Sequence, residues 1–380
     1  MIGFELSDEQ KQLQQSARNF AKNEIGPVAS ELDQQQAFPH AVMKKALSAG
    51  LLNLSIPVSL GGRGMAMLDQ VIIAEELAWG CAGVASAMLM NELGLGPIIS
   101  HGADEQRHRF VKPFVEQLRF AALAYAEFEH GGPVPHTKIE RKADHYLLNR
   151  QKYWVSNDGV ASQLIVVAHL EGRDPGSADC ALIVDTNFPG LSIQSSHDKM
   201  GCRACETVVV NFENVKVPFD RLLGREGQGL MCIGETQLRF RLLVAAMSLG
   251  LARSALELAL DWAKRRKVVG QEVASFQTTQ LRVAEMVMGL EAGRLLTYQA
   301  AWQFDEKKAR IKDVVAKCFA ADMAMNAALD AVQIFGSHGY VKANRVEKLV
   351  RDAKTFQLVA GSSDFVRLVI AGEVFRSGAP

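Results

Sequence analysis

Leu242, Ala245, Leu249, Ala252, Leu256, Ala259 and Ala263 fall at three- and four-residue steps, the repeat of one face of an α-helix. The same spacing returns at Leu281, Ala284, Val287 and Leu290, and again from Val314 to Val332. No proline interrupts residues 219–379, because ten of the eleven prolines lie at or before Pro218 and the last is Pro380. Long helices can run unbroken there, so residues 226–380 are expected to form a four-helix bundle. The first 120 residues also read as helical. Ser7 and Gln10 have the spacing of a capping box, and Leu13, Ala17, Phe20 and Ala21 follow on one face. Gly61-Gly62 and Gly94-x-Gly96-Pro97 read as breaks between later helices.

Between these two helical regions the period changes. Leu164, Val166, Ala168 and Leu170 alternate with Ile165, Val167 and His169, a period of two that predicts a strand. Ala181–Val184 and Thr207–Val210 are further β-branched runs, set off by turn signals at Asp158-Gly159 and Pro189-Gly190. Helices, then strands, then helices predict an α+β protein in three parts. These are an N-terminal α-helical domain over 1–120, a β-barrel over 121–225 and the C-terminal bundle over 226–380. No G-x-G-x-x-G follows a strand, which excludes a Rossmann dinucleotide site.

Composition narrows the function classes. Hydrophobic residues make up 48% and charged ones 22% of 380 residues, as in a globular chain. Basic and acidic residues balance at 42 each, so net charge favours neither nucleic acid nor anionic lipid. No run of some 18 uncharged apolar residues predicts a membrane span. The opening MIGFELSDEQ lacks the pattern of a signal peptide, so a cytoplasmic protein is expected. The six cysteines do not form a disulfide framework, and Cys202-x-x-Cys205 has no second pair at zinc spacing, so no metal site is expected.

Five motifs resemble the acyl-CoA dehydrogenase family in order and spacing along the whole chain. They are Gln151–Asn157 (QKYWVSN), Asp198–Gly201 with Arg203 and Phe212–Pro218, Arg266–Gly270 with Phe276-Gln277, Val332–Gly336 with Gly339-Tyr340, and Arg351–Lys354. The resemblance implies that fold, FAD as cofactor, and an acyl-CoA or acyl-carrier-protein thioester as substrate. It implies FAD contacts from Trp154, which shields the ring, Ser156, Gln333, Gly336, Ser362 and Asp364. Arg266 and Gln277 would reach the FAD of a neighbouring subunit, so a homotetramer or a dimer of dimers is implied. Arg241 resembles an Arg beside the substrate channel, and the main-chain N–H of Ala360, before Gly361, a donor to the thioester carbonyl.

The family's reaction removes a weakly acidic α-proton and so needs a positioned carboxylate. The Glu that most members carry after R-D-A-K aligns with Ala360, and the Glu that others carry before an Arg on an earlier helix aligns with Phe240. Asp364, Glu127 and Glu92 are the nearest carboxylates in motif terms, and the catalytic residue is left unassigned. Flavin contacts also differ, with Ala126, Gly132, Val269 and Ser337 where the family has Thr, Ser, an aromatic residue and Gly. Three functions stand open: a dehydrogenase of acyl thioesters with a non-standard base, a flavin oxygenase of the same fold, and a non-catalytic subunit of a paired oligomer.

Overall fold

The computed structural model describes residues 5–127, 136–157, 159–174, 178–194, 197–307 and 311–378. Gly132 and Asp158 lie outside them.

The N-terminal domain comprises α1 (Asp8–Phe20), α2 (Ala29–Gln35), α3 (His40–Ser48), α4 (Met67–Gly80), α5 (Ala82–Leu89), α6 (Asn91–His101), α7 (Asp104–Phe110) and α8 (Pro113–Glu116). The capping box at the start of α1 is formed, with Ser7 accepting from the Gln10 N–H and Gln10 accepting from the Ser7 N–H. Gly61, at a φ of 89°, turns the chain as expected. Gly94 and Gly96 do not break a helix. Both lie inside α6 with Pro97, where a Cβ on Gly94 would stand 2.6 Å from the Ala121 backbone and one on Gly96 2.5 Å from the Thr236 hydroxyl. They let α6 approach a strand on one side and a long helix on the other, a tertiary demand that local punctuation does not reveal.

The β-domain contains β1 (Ala121–Ala124), β2 (Lys138–Arg141), β3 (His145–Ser156), β4 (Gln163–Leu170), β5 (Asp179–Asp185), β6 (Leu191–Ile193), β7 (Thr207–Pro218) and β8 (Leu222–Leu223). Among the described residues these form one sheet in the order β6-β7-β3-β2-β4-β5-β8, with β1 beside β4. The alternating run at 164–170 is β4, buried on both faces. On β3 the pairing with β7 slips between Lys152 and Val155, a bulge in which Trp154 takes a left-handed φ of 57°.

The proline-free region holds α9 (Gly229–Arg265), the short strands β9 (Lys267–Val268) and β10 (Gln271–Glu272), then α10 (Gln277–Asp305), α11 (Ile311–Phe335), α12 (Val346–Leu358) and α13 (Ser363–Ser377). The last helix of the expected bundle is thus broken in two. Ala360 and Gly361, at φ of 58° and 90°, reverse the chain, and the Ser362 hydroxyl caps α13 by accepting from the Phe365 N–H at 3.2 Å.

Two buried ionic clusters join the domains. Arg253 on α9 donates to Glu76 and Glu75 on α4, Arg18 on α1 also holds Glu76, and Arg294 on α10 holds Glu75 at 2.8 Å. On α12, Asp352 pairs with Lys348 and accepts the Cys202 N–H at 2.7 Å. Arg351 next to it bonds Asp33 on α2 at 2.7 Å and the Met200 carbonyl at 3.0 Å. A Cβ on Gly201 would stand 2.0 Å from the Arg351 carbonyl, so glycine alone lets this loop lie against α12. Asp352→Asn would leave a buried ammonium without its carboxylate. It should lower stability by about 3 kcal/mol, read as a lower urea midpoint at unchanged m-value.

Candidate functional site

The loop 198–205, pinned to α12, the end of β3 and the first half of α9 enclose a cavity of about 600 Å³. Its walls are mostly apolar. Met90, Phe240, Met247 and Val359 supply them, and Ser156, Thr207 and Thr355 bring hydroxyls. The Trp154 indole sits at this cavity, 58% exposed, turned out of the sheet by its bulge and lying against the His197 ring at 4.7 Å. A left-handed conformation costs a bulky residue on the order of 1–3 kcal/mol, and such strain gathers at functional sites. An apolar cavity with a few convergent hydroxyls suits a planar, largely apolar ligand.

Trp154 and Ser156 therefore share one cavity. Ala360 stands just beyond it, next to Val359, with its carbonyl accepting from the Arg241 Nε at 3.2 Å. Lys317 on α11 donates to the Gly361 carbonyl at 2.6 Å. The Ala360 N–H has no partner among the described residues and is free to donate. Ser362 spends its oxygen on capping α13, and Asp364 is exposed and pairs with Arg367 at 3.1 Å.

The other four expected residues are elsewhere. Trp262, one turn before Arg266, stacks on Phe335 at 4.5 Å, which brings the ends of α9 and α11 together, and Val273, just before α10, donates its N–H to the Arg266 carbonyl. Arg266, Gln277, Gln333 and Gly336 gather at this end of the bundle, and none lines the cavity. All are exposed, and the three side chains make no hydrogen bond or ion pair among the described residues. From there α12, 13 residues and roughly 20 Å long, runs back to the cavity.

The carboxylates separate clearly. Glu127 joins strands, accepting the His136 and Thr137 N–H groups and the Lys152 ammonium. Burial alone would raise its carboxyl, but Lys152 and these donors hold it at about 2. Glu92, buried in α6, is raised by desolvation against the pull of Ser55 and Arg239. One carboxylate escaped the motif reading. Asp313, in the first turn of α11, is 5% exposed, with Arg241 at 3.6 Å. Asp313 and Lys317 are polar residues four apart in an otherwise apolar stretch, a signal that could have found them.

A helical domain, a β-domain and a helical bundle meeting at such a cavity define a class of oxidoreductase fold. Comparison with known proteins makes the class specific. Acyl-CoA dehydrogenase profiles match as an N-terminal domain over residues 7–117, a middle domain over 122–215 and a C-terminal domain over 227–375. The human mitochondrial short-chain specific acyl-CoA dehydrogenase is 34% identical over 98% of this chain and 92% of its own. A probable acyl-CoA dehydrogenase of Bacillus subtilis is 34% identical over 99% and 100%. Butyryl-CoA dehydrogenase from Megasphaera elsdenii superposes with a TM-score of 0.95 at 31% identity, covering 99% of this chain and 100% of that one. The prolyl acyl carrier protein oxidase AnaB, at 24% identity and a TM-score of 0.93 over 97% and 100%, shares the fold. The chain belongs to the acyl-CoA dehydrogenase family and is an oxidoreductase of that family.

The strand clamp makes a pH-dependent prediction. A carboxyl held below its unfolded value adds stability that is complete above about 4.5 and is lost as pH falls towards about 2. Glu127→Gln should flatten that part of the acid-unfolding curve, and Lys152→Met should cost about 3 kcal/mol at neutral pH. Both are read by denaturant unfolding between pH 2 and 7.

Proposed function

We propose that the chain binds FAD and oxidises an acyl thioester, carried by coenzyme A or an acyl carrier protein, at the α,β-bond. The observation that carries this reading is the free Ala360 N–H beside a cavity walled by Trp154 and Ser156. The residues fit the cofactor in two places. Trp154 and Ser156 offer a face and a hydroxyl to a planar ring. Arg266, Gln277 and Gln333 are exposed donors without partners among the described residues, and a guanidinium's paired N–H groups suit a pyrophosphate. PigA, which shares the fold at 22% identity, holds FAD and proline in its solved structure. When bound, the flavin supplies a two-electron oxidant.

This chain's groups then have distinct tasks. The Ala360 N–H polarises the thioester carbonyl where enolate charge develops, a main-chain donor that is indifferent to the side chain. Arg241 holds the adjoining 360–361 peptide through the Ala360 carbonyl. The apolar walls exclude water, which strengthens both interactions. Positions 360 and 240, where the family's Glu residues stand, carry Ala and Phe, so the base is non-standard.

The two donor sets lie at opposite ends of α12, so a second copy of the chain completes each site. Leu281, Met288 and Leu295 expose an apolar line at seven-residue spacing along α10. A groove of about 910 Å³ beside it is lined by Met288, Phe319 and Leu329. Burying such a face against its own copy accounts for its apolar character and supports the homotetramer or dimer of dimers.

Two experiments test the reading. Arg266→Ala should lose FAD, by absorbance of the purified protein, with its far-UV spectrum intact; full FAD occupancy would refute the assignment of Arg266. Anaerobic single-turnover reduction by acyl-CoA of several lengths tests the chemistry. Ala360→Glu should speed it at least about tenfold over Ala360→Gln, because a positioned base contributes on the order of 10²–10⁴-fold. Equal rates for the Glu and Gln variants would show that a carboxylate at 360 has no role.

A further inference from the structure

The cavity beside Trp154 has an exposed rim and a buried end. Trp154, Met200 and Leu358 stand exposed at the rim. Ser86, Met90, Phe240 and Met247 line the buried end. Phe240 and Met247 are seven residues apart on α9, two turns along one face. Met90 joins α5 to α6. The Ser86 hydroxyl on α5 lies 3.7 Å from the Met247 Sδ and 3.9 Å from the Cys202 Sγ. These contacts tie α5, α9 and the loop 198–205 together and close that end.

Resting on the dehydrogenase reading, we infer that Phe240 and Met90 set the acyl group this chain accepts, and that this group is short, aliphatic and uncharged. The cavity of about 600 Å³ has room for about 20 water-sized groups. The three fused rings of the flavin assigned above fill much of that space, which leaves a place for a chain of a few carbons. A phenyl ring and a thioether then stop the chain, because a packed wall does not yield cheaply to added methylenes. Phe240 is 1% exposed and so is held by its neighbours on every other side. It stands where other members carry a Glu, so an apolar ring meets the acyl group there in place of a carboxylate.

None of the four side chains at the buried end is charged. Burial raises the Cys205 thiol to about 11 and the Cys202 thiol well above its ordinary 9.0, so both stay neutral beside them. The charged side chains that border the cavity have partners of their own. Lys199 donates to the Cys205 carbonyl at 2.7 Å, and Asp198 accepts from Arg203 at 2.7 Å. Arg351 bonds Asp33 at 2.7 Å, and Lys354 bonds Gln357 at 3.0 Å. A carboxylate or an ammonium at the tip of the acyl group would therefore be buried without a partner, which is costly.

The test is equilibrium binding by calorimetry, which does not depend on the group that takes the α-proton. Butyryl-, octanoyl- and glutaryl-CoA are titrated into FAD-loaded wild type, Phe240→Ala, Phe240→Leu and Met90→Ala, each checked for FAD absorbance and far-UV spectrum. Wild type should bind butyryl-CoA at least about tenfold more tightly than either octanoyl- or glutaryl-CoA. Phe240→Ala and Met90→Ala should erase or reverse the preference over octanoyl-CoA. Phe240→Leu, which keeps more of the buried volume and so the fold, should narrow it. An unchanged preference in the folded variants overturns the assignment of Phe240 and Met90. Equal wild-type affinity for butyryl- and octanoyl-CoA, or tight binding of glutaryl-CoA, overturns the substrate class and leaves the dehydrogenase reading standing. A wild type that binds none of these acyl groups, as coenzyme A or carrier-protein thioesters, sinks both.

Discussion

The buried carboxylate of Asp352 is the constraint on which the cavity depends. It neutralises a buried lysine on its own helix and takes the Cys202 N–H from the β-domain, so α12 and the loop 198–205 cannot separate without exposing a charge. A buried pair adds little net stability, yet breaking it is expensive. Its consequence here is positional. The loop is pressed so close that only glycine fits at 201, Cys202 accepts a left-handed φ of 47°, and α12 delivers Val359 to the cavity wall and Ala360 just beyond it.

Two further non-glycine residues have left-handed backbones in this region, Trp154 of the sheet at the cavity and Ala360 just beyond its wall. Each conformation is unfavourable in isolation. Each is over-determined by its surroundings: the bulge in β3 holds Trp154, and Arg241 and Lys317 grip the carbonyls of Ala360 and Gly361. Strain placed in this way orients an indole and a main-chain N–H without relying on flexible side chains.

The charged groups behind the turn differ in kind from those between the domains. Glu75 and Glu76 are each met by two cations and have no capacity to spare. Asp313 has the Arg241 guanidinium at 3.6 Å, and burial raises its carboxyl against that pull. The first arrangement fixes α1, α4, α9 and α10 relative to one another. The second backs the Arg241 that holds the Ala360 carbonyl.

Much of this was legible in the residues. Proline-free periodicity revealed the long helices, because a helix's hydrogen bonds and its apolar face are both local properties of the chain. Alternation revealed β4 for the same reason, and the ordered motifs pointed to the family and drew Trp154 and Ser156 to one wall. Other features came only with the fold. Gly94 and Gly96 looked like punctuation until a strand and a helix were seen packed against them. Arg266 is distant in sequence from Gln333 and Gly336, and the segments that carry them are joined where Trp262 stacks on Phe335. Asp313 belongs to no motif and is significant only because α11 crosses the end of α12 beside Arg241. Local patterns determine which elements form. Which side chains from separate elements share one buried space depends on packing between residues tens of positions apart, and only the tertiary structure decides it.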